Sequence, residues 1–406
     1  MKKVILSTTC IVVVFLSFAG GFAVGKGPRL LSMILTGGGA AKAEWQRLES
    51  VESFNTLYGS IGDMRDMVLA EAKTEREVAL GMRWILRNIA MSTDIVADGN
   101  VIRPNFVRMD SEARKIGGDN PDAEYHLAKI DGSYAYRITG NRGSVRYFSL
   151  NVNAGKGMEK RRLAAFLNDR TIEFDELGNF ELLLSDTKPE QPGQWLEIPK
   201  NSTAIMLRQY IADREKENLV DINIEVLGEA PPIQASSDED IAESLTATNY
   251  AFIMLGSLHK IVLPESWENP NKFYNIDSDT MGGAISGPDN LYMIGSFKVA
   301  ADEALIVEVD PPATRYWNIA LETIWHETVD YLHRPASRTL ENVVPSADGK
   351  VRFVIAHQNP NVNNWLDPMG NERGQMTFRW LEARGIEVSK PRVTLVKLTD
   401  LESVTL

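Results

Sequence analysis

Three side chains in the last sixty residues could do chemistry together: His357, Asp367 and Arg379. A histidine and a carboxylate make a titrating pair for general acid–base work, and a guanidinium stabilises negative charge developing beside them. They belong to a stretch, Tyr316 to Trp380, that holds Trp317, Trp325, Trp365 and Trp380, four of the chain's eight tryptophans, with Asn318, Asp330 and Asn364 among them. Aromatic faces with a few convergent polar groups suit a pocket for an apolar or sugar-like small molecule. The same tryptophans would equally fill a β-sandwich core. In the run Lys350 to His357, Val351, Phe353, Ile355 and His357 alternate onto one face. That places His357 at the end of an apolar row, either as a core histidine or as a pocket floor. Asp367 sits in an Asn/Pro-rich connection, and Arg379 faces away from Phe378 and Trp380, so the two could pair if that face meets the loop.

Standard catalytic and metal signatures are missing. Gly155-Lys156-Gly157 lacks the long glycine loop and following hydroxyl of a phosphate-binding loop, and no Gly-x-Ser-x-Gly elbow occurs. His326-Glu327-Thr328-Val329-Asp330 puts Asp330 where a zinc-protease helix needs its second histidine. With His333 and His357 it could still hold a metal, but carboxylate–histidine pairs are commoner as structural hydrogen bonds. Gly117-Gly118-Asp119-Asn120-Pro121-Asp122 lacks the regular alternation of a calcium loop and reads as a tight turn held by Asp and Asn side chains. Cys10 is the chain's one cysteine. That excludes a disulfide framework, a thiol nucleophile and Cys-ligated metal beyond the N-terminal segment. No cofactor and no metal is expected.

The elements that must position these groups are mostly strands. From Ala43 to about Ile95 the pattern is helical, with Val78, Met82, Ile85, Leu86 and Ile89 at three- and four-residue steps. Short apolar runs at Tyr134–Ile138, Val145–Leu150, Phe180–Leu184 and Ala204–Tyr210, parted by turn dipeptides, predict an antiparallel β domain. A capping box at Ser236 and Glu239 opens a second helix to about His259. Strand-like runs return at Ala304–Val309, Lys350–His357, Gln375–Leu381 and Arg392–Leu398. For residues 316–332 the apolar spacing fits a strand face and a helix stripe equally well. The expected organisation is an anchor or signal over 1–27, a linker and helical segment over 28–98, a first β domain over 99–232, a helix and Gly/Asn-rich connection over 233–300, and a C-terminal β-sandwich over 301–406. The fold class is mainly β with helical additions (α+β).

Composition bounds the partners. The 406-residue chain has 44% apolar and 24% charged residues, as ordinary globular proteins do, and a formal net charge of −12. That balance argues against a nucleic-acid surface, which needs clustered Lys and Arg. Val4 to Val24 runs 21 residues without a charge behind Lys2 and Lys3. It is long enough to cross a bilayer, and it also has the layout of a signal peptide. The lipid bilayer is therefore an expected partner of residues 4–24, and the remainder is expected outside the cytoplasm. Oligomeric state is left open.

The C-terminal motifs resemble a bacterial family, domain of unknown function 1214. The resemblance rests on Tyr316-Trp317-Asn318, Trp325, Asp330-Tyr331, Ser337, Asp348-Gly349, Asn364-Trp365-Leu366-Asp367, Gly374 and Phe378-Arg379-Trp380, and covers about Ala304 to Leu381. Upstream, Gly118–Asp122 with Tyr125, and Tyr136–Gly140 with Gly143 and Tyr147, look like the region preceding this domain in long members. The resemblance implies jelly-roll-like sandwiches with helical additions and strand rather than helix for Trp317–Trp325. It implies no reaction. Asn359-Pro360-Asn361 stands where members often carry Asp-Pro-Gly, which removes a carboxylate and a glycine from that loop.

Three functions remain open from the sequence: an envelope-associated module binding an apolar or sugar-bearing small molecule, an enzyme (for instance a hydrolase) using His357, Asp367 and Arg379, and a structural envelope protein without a small ligand.

Overall fold

A computed structural model describes residues 42–403 apart from 98, 116, 157–158, 191, 229–231, 233–234, 262, 277–286 and 384. The hydrophobic run 4–24 and the glycines at 37–39 lie outside the described residues. Among those described, no helix is long and apolar enough to cross a membrane. The chain divides into compact units of residues 1–52 and 53–406. In the first, the described residues form a 3-10 turn, Trp45–Arg47, and the start of helix α1 (Glu49–Glu71).

The helical stretch is two helices. Residues 72–74 interrupt it, and the Thr74 side chain accepts from Glu77 N at 3.2 Å to start α2 (Glu75–Ser92). The stripe turns inward at Ile85 with Trp84, while Leu86 is two-thirds exposed. The later helix, α3 (Asp238–Ser257), is capped by Ser237 and Asp240 reciprocally, one residue beyond the expected pair. A short helix α4 follows at Pro264–Glu268.

The rest is mainly β. The first five-stranded sheet has the order β1 (Val107–Arg108), β2 (Ala123–Lys129), β8 (Ser202–Tyr210), β4 (Tyr147–Ala154) and β5 (Arg162–Asn168). It packs on a four-stranded sheet of β7 (Gln194–Glu197), β6 (Asn179–Ser185), β3 (Tyr136–Asn141) and β9 (Asp221–Val226). Phe148, Leu150, Leu182 and Ile205 lie in the core they share. A second five-stranded sheet has the order β10 (Tyr274–Ile276), β11 (Asn290–Lys298), β17 (Arg373–Leu381), β13 (Tyr316–Glu322) and β14 (Ser337–Thr339). Its four-stranded mate is β16 (Trp365–Leu366), β15 (Val351–Ile355), β12 (Glu303–Val309) and β18 (Arg392–Lys397). Phe297, Trp317, Phe353, Phe378 and Trp380 interlock between them.

Two details depart from the expected layout. The sheets are antiparallel except for β6–β7 and β15–β16, which pair in parallel because the connections Asp186–Gly193 and Ala356–Asn364 bring the chain back in the same direction. Strands β10 and β11 lie in the segment read as a connection, and nine residues of β11 pair along β17.

The helix-or-strand ambiguity at 316–332 has a physical origin. All seven residues of β13 are buried, so both strand faces are covered and polarity does not alternate cleanly. Trp317, Ile319 and Leu321 enter the sandwich core. The strand ends at Glu322, and a tight turn carries Trp325 out of that face onto the helices, where it stacks on Trp84 at 5.5 Å. Its Nε1 donates to Glu77 O at 2.8 Å, and Arg373 grips the Glu77 carboxylate at 2.6 Å, so the start of α2 is fastened to the second sandwich.

A cavity between the two sandwiches as the candidate site

The tryptophans and asparagines singled out from the sequence are mostly structural. Trp317 and Trp380 fill the second sandwich. Asn364, at φ 56°, donates to Val344 O at 2.8 Å and accepts from Val344 N at 2.8 Å, which ties its loop to a neighbouring one. Trp365 donates to Ala356 O at 2.8 Å. Asp330 holds His333 Nδ1 at 2.9 Å on the surface, within a turn and not on a helix face. Asn318 lies between the sandwiches and donates to Asn120 Oδ1 at 2.7 Å and Asp122 Oδ2 at 3.0 Å.

His357, Asp367 and Arg379 do not share one site. His357 Nε2 contacts Val299 O at 3.1 Å. Asp367 accepts from Met369 N at 2.7 Å and pairs with Arg334 at 3.4 Å. Arg379 instead donates through Nη2 to Gly118 O at 2.6 Å and to Glu322 Oε1 at 3.2 Å.

Arg379 points out of the second sandwich because strand alternation sends Met376, Phe378 and Trp380 into its core. On that outer face it lines a cavity of about 100 Å³ between the two five-stranded sheets. The first sandwich contributes Tyr125 from β2 and Arg208 from β8. Arg208 alternates with the core residue Leu207, as Arg379 does with Phe378. Met91 and Leu255 close one side from α2 and α3, with Met109, Leu258, Ile261 and Ile294 completing an apolar wall.

The loop Gly117–Asn120 and the turn after β13 meet at the polar end. Gly118 N donates to His326 O at 2.8 Å, and Thr328 N donates to Asp119 Oδ1 at 2.9 Å. His326 is 2% exposed and sits at φ 58°, a region that bulky residues avoid. A Cβ on Gly118 would lie 2.5 Å from the imidazole, so glycine is required there for the ring to fit. Glu322 Oε2 is 2.6 Å from His326 Nδ1, though the two are not aligned as a hydrogen bond.

Charge in this region is set by burial. Desolvation opposes ionisation of Glu322, but His326 and Arg379 outweigh it and hold its carboxyl below the usual range. Burial and neighbouring Asp119 push Asp110 up to about 7. Burial likewise raises Asp119, against the pull of Lys115. Glu327, buried beside Arg87 at 2.7 Å, is also pushed up to about 7, chiefly by desolvation.

Several unsatisfied atoms stand out. Arg379 Nη1 and Asp119 Oδ2 are buried without a hydrogen-bond partner among the described residues, and both residues line the cavity.

The likeness to known proteins agrees with this architecture. Residues 122–214 and 298–384 match the model of a family described as a protein of unknown function (DUF1214). The chain carries the DUF1214 match in both sandwiches. The resemblance read from the C-terminal motifs therefore holds, and the upstream motifs from Asp122 onward fall within the same family's match rather than in a separate preceding region. An uncharacterised protein from Burkholderia cenocepacia of known crystal structure is 28% identical, with 87% of this chain and 99% of that one covered and a TM-score of 0.79. A Vibrio parahaemolyticus protein is 12% identical over 78% of this chain and 97% of that one, with a TM-score of 0.48. No curated protein matches the chain. DUF1214 thus brings no activity, and the site must be argued from its own chemistry.

Sequence reasoning found Arg379 but placed it in the wrong company. Its partners are Gly118, in the turn noticed as a motif and read as local structure, and Glu322, at the end of β13. Arg208 left no signal, because it sits on an ordinary strand, and Tyr125 entered only through the family resemblance.

Proposed function

We propose that the protein binds a small amphipathic molecule in the cavity between its sandwiches. The observation that carries this reading is Arg379, 3% exposed, which lines the cavity and whose Nη1 is buried and unpartnered among the described residues. A buried guanidinium N–H without an acceptor is costly, by about 1–3 kcal/mol, and an incoming ligand would relieve it. The apolar wall opposite suits the rest of such a molecule. The strained backbone at His326 supports the same place, since strain concentrates where function requires it. This site replaces the interior of the C-terminal sandwich, which its own tryptophans fill.

A second reading, proton transfer on the bound molecule, is favoured by the approach of Glu322 to His326 at the cavity wall. The imidazole would act as the base and Arg379 would hold developing negative charge. We further read the sandwiches as jelly rolls, and the charge-free run Val4–Val24 as an anchor or export signal that places them outside the cytoplasm.

Native mass spectrometry of the full chain after exposure to a bacterial metabolite extract tests the binding reading. A small molecule should remain bound to the wild type and be lost from Leu255→Trp, which fills the apolar wall. Absence of any bound molecule, with no thermal shift across a metabolite panel, would overturn it.

A further inference from the structure

The polar end of the cavity sets the donors of Arg379 and Tyr292 beside two acids, Asp110 and Asp119, that burial pushes toward the protonated form. Arg379 Nη1 is one donor. The Tyr292 hydroxyl, on the cavity wall, already accepts from Asn290 Nδ2 at 3.1 Å, which leaves its own proton to be given elsewhere. The Arg208 guanidinium lies on the same wall, over the Tyr125 ring at 5.3 Å. Asp119 Oδ2 is orphaned, and burial drives that carboxyl toward its protonated form, in which it too can donate. Arg379 and Tyr292, paired in register on β17 and β11, present donors that call for a group that accepts. An ionised carboxylate is such a group, with planar geometry that matches a guanidinium edge.

Size and lining restrict the remainder of the molecule. The cavity is about 100 Å³, on the scale of an engineered cavity of about 150 Å³ that admits a benzene ring. Its other wall is Met91, Met109, Leu255, Leu258 and Ile261, side chains that offer neither donors nor acceptors. Thioethers pack well against aromatic rings and adapt to flexible chains.

Resting on the binding reading above, we infer that the ligand is a small monocarboxylate, aromatic or short-chain aliphatic, with its carboxylate on Arg379 and its apolar end against the methionine and leucine wall. Glu322 occupies only the Nη2 side of Arg379, so the carboxylate takes the Nη1 side. The Tyr292 hydroxyl donates to the same group.

Calorimetric titration of the full chain compares benzoate and hexanoate with benzyl alcohol and hexanol, which keep the apolar end and replace the planar carboxylate with a neutral hydroxyl. The acids should bind at least tenfold more tightly than their alcohols. Arg379→Met should abolish that preference. Because Arg379→Met also strips buried Glu322 of its partner and puts folding at risk, Tyr292→Phe is the second variant, and it should weaken the acids severalfold and the alcohols little. Equal or tighter binding of the alcohols overturns the carboxylate assignment and leaves the binding reading standing. So does failure of all four probes when an extract molecule still binds. Failure of the probes and of the extract together overturns both.

Discussion

Glu322 stands between His326 and Arg379, with one carboxylate oxygen 2.6 Å from the imidazole Nδ1 and the other 3.2 Å from the guanidinium. All three side chains are almost wholly buried, and Arg379 meets no other carboxylate among the described ion pairs. Taking the charge off Glu322 therefore strands a buried cation, a change that typically costs about 3–5 kcal/mol. Glu322→Gln should lower unfolding stability by that order in urea titration. An unchanged midpoint would mean that water, not Glu322, solvates Arg379.

The raised acid at Asp110 gives a pH dependence with a definite sign. Its carboxyl binds a proton more tightly folded, with a pKa of about 7, than unfolded, where it titrates near the ordinary 3.8. Its stabilising contribution is thus fully present below about pH 4 and is lost as pH rises through 7. Desolvation and Asp119 produce the shift, while Tyr125 N and Arg108 oppose it. Asp110→Asn keeps an acceptor for Tyr125 N and cannot ionise. Near pH 4 it should therefore differ little from wild type. The difference should grow from pH 4 to 7, and at pH 8 the variant should be the more stable protein, by at most about 4 kcal/mol for a three-unit shift. Thermal melts of both proteins from pH 4 to 8 check this, and parallel curves would remove Asp110 from the titrating groups.

The strand pattern was legible wherever one face met a core and the other met water. It was equally legible at β15, where Val351, Phe353 and Ile355 enter the core as their alternation predicts. It failed at β13, because the second sheet is buried on both faces and the residues on its outer face look no more polar than its inner ones. The site was illegible for a related reason. Arg208 and Arg379 lie some 170 positions apart in the chain, each a single charge on an apolar strand, and only the packing of two sheets makes them neighbours of one cavity. The pairing imagined for Arg379 with Asp367 assumed that the Asp367 loop meets the strand face of Arg379. The actual partner, Glu322, comes from the adjacent strand, where Asn318 pairs with Arg379 in register and Glu322 lies four residues further along.

The joint between the sandwiches should show measurable coupling. Arg315, just before β13, reaches Asp169, just after β5, with Nη1 to Oδ1 at 2.9 Å and a second bond from Nη2. Asp169 is almost fully covered, so the pair is screened less than a surface pair. Arg315 Nη2 also donates to Arg146 O, which makes the arginine a three-point clasp. Asp169→Asn and Arg315→Met should each cost about 2 kcal/mol, and the double variant less than their sum by at least about 1 kcal/mol. Strict additivity in the double-mutant cycle would show that the clasp contributes nothing as a pair.

Neighbouring glycines offer the sharpest test of how firmly His326 is held. Gly117 and Gly118 both have positive φ, 64° and 67°, so alanine at either position carries a similar backbone penalty of about 1–2 kcal/mol. What separates them is the neighbour a new methyl would meet. At Gly117 it approaches Leu258 Cδ1 at 2.6 Å, the free end of a flexible side chain. At Gly118 it approaches His326 Cε1 at 2.5 Å and Nε2 at 2.6 Å, a rigid ring already fixed by its own strained backbone and by Glu322. Gly118 also donates from N to His326 O and accepts at O from Arg379 Nη2, so any retreat of the loop loosens the guanidinium as well. Gly118→Ala should therefore destabilise the protein clearly more than Gly117→Ala, and it alone should weaken whatever binds on Arg379. The comparison needs only thermal melts of the two variants and a titration with the bound molecule. Equal losses in both would show that the imidazole moves aside freely, and the tight contact between Gly118 and His326 would then have no part in shaping the cavity.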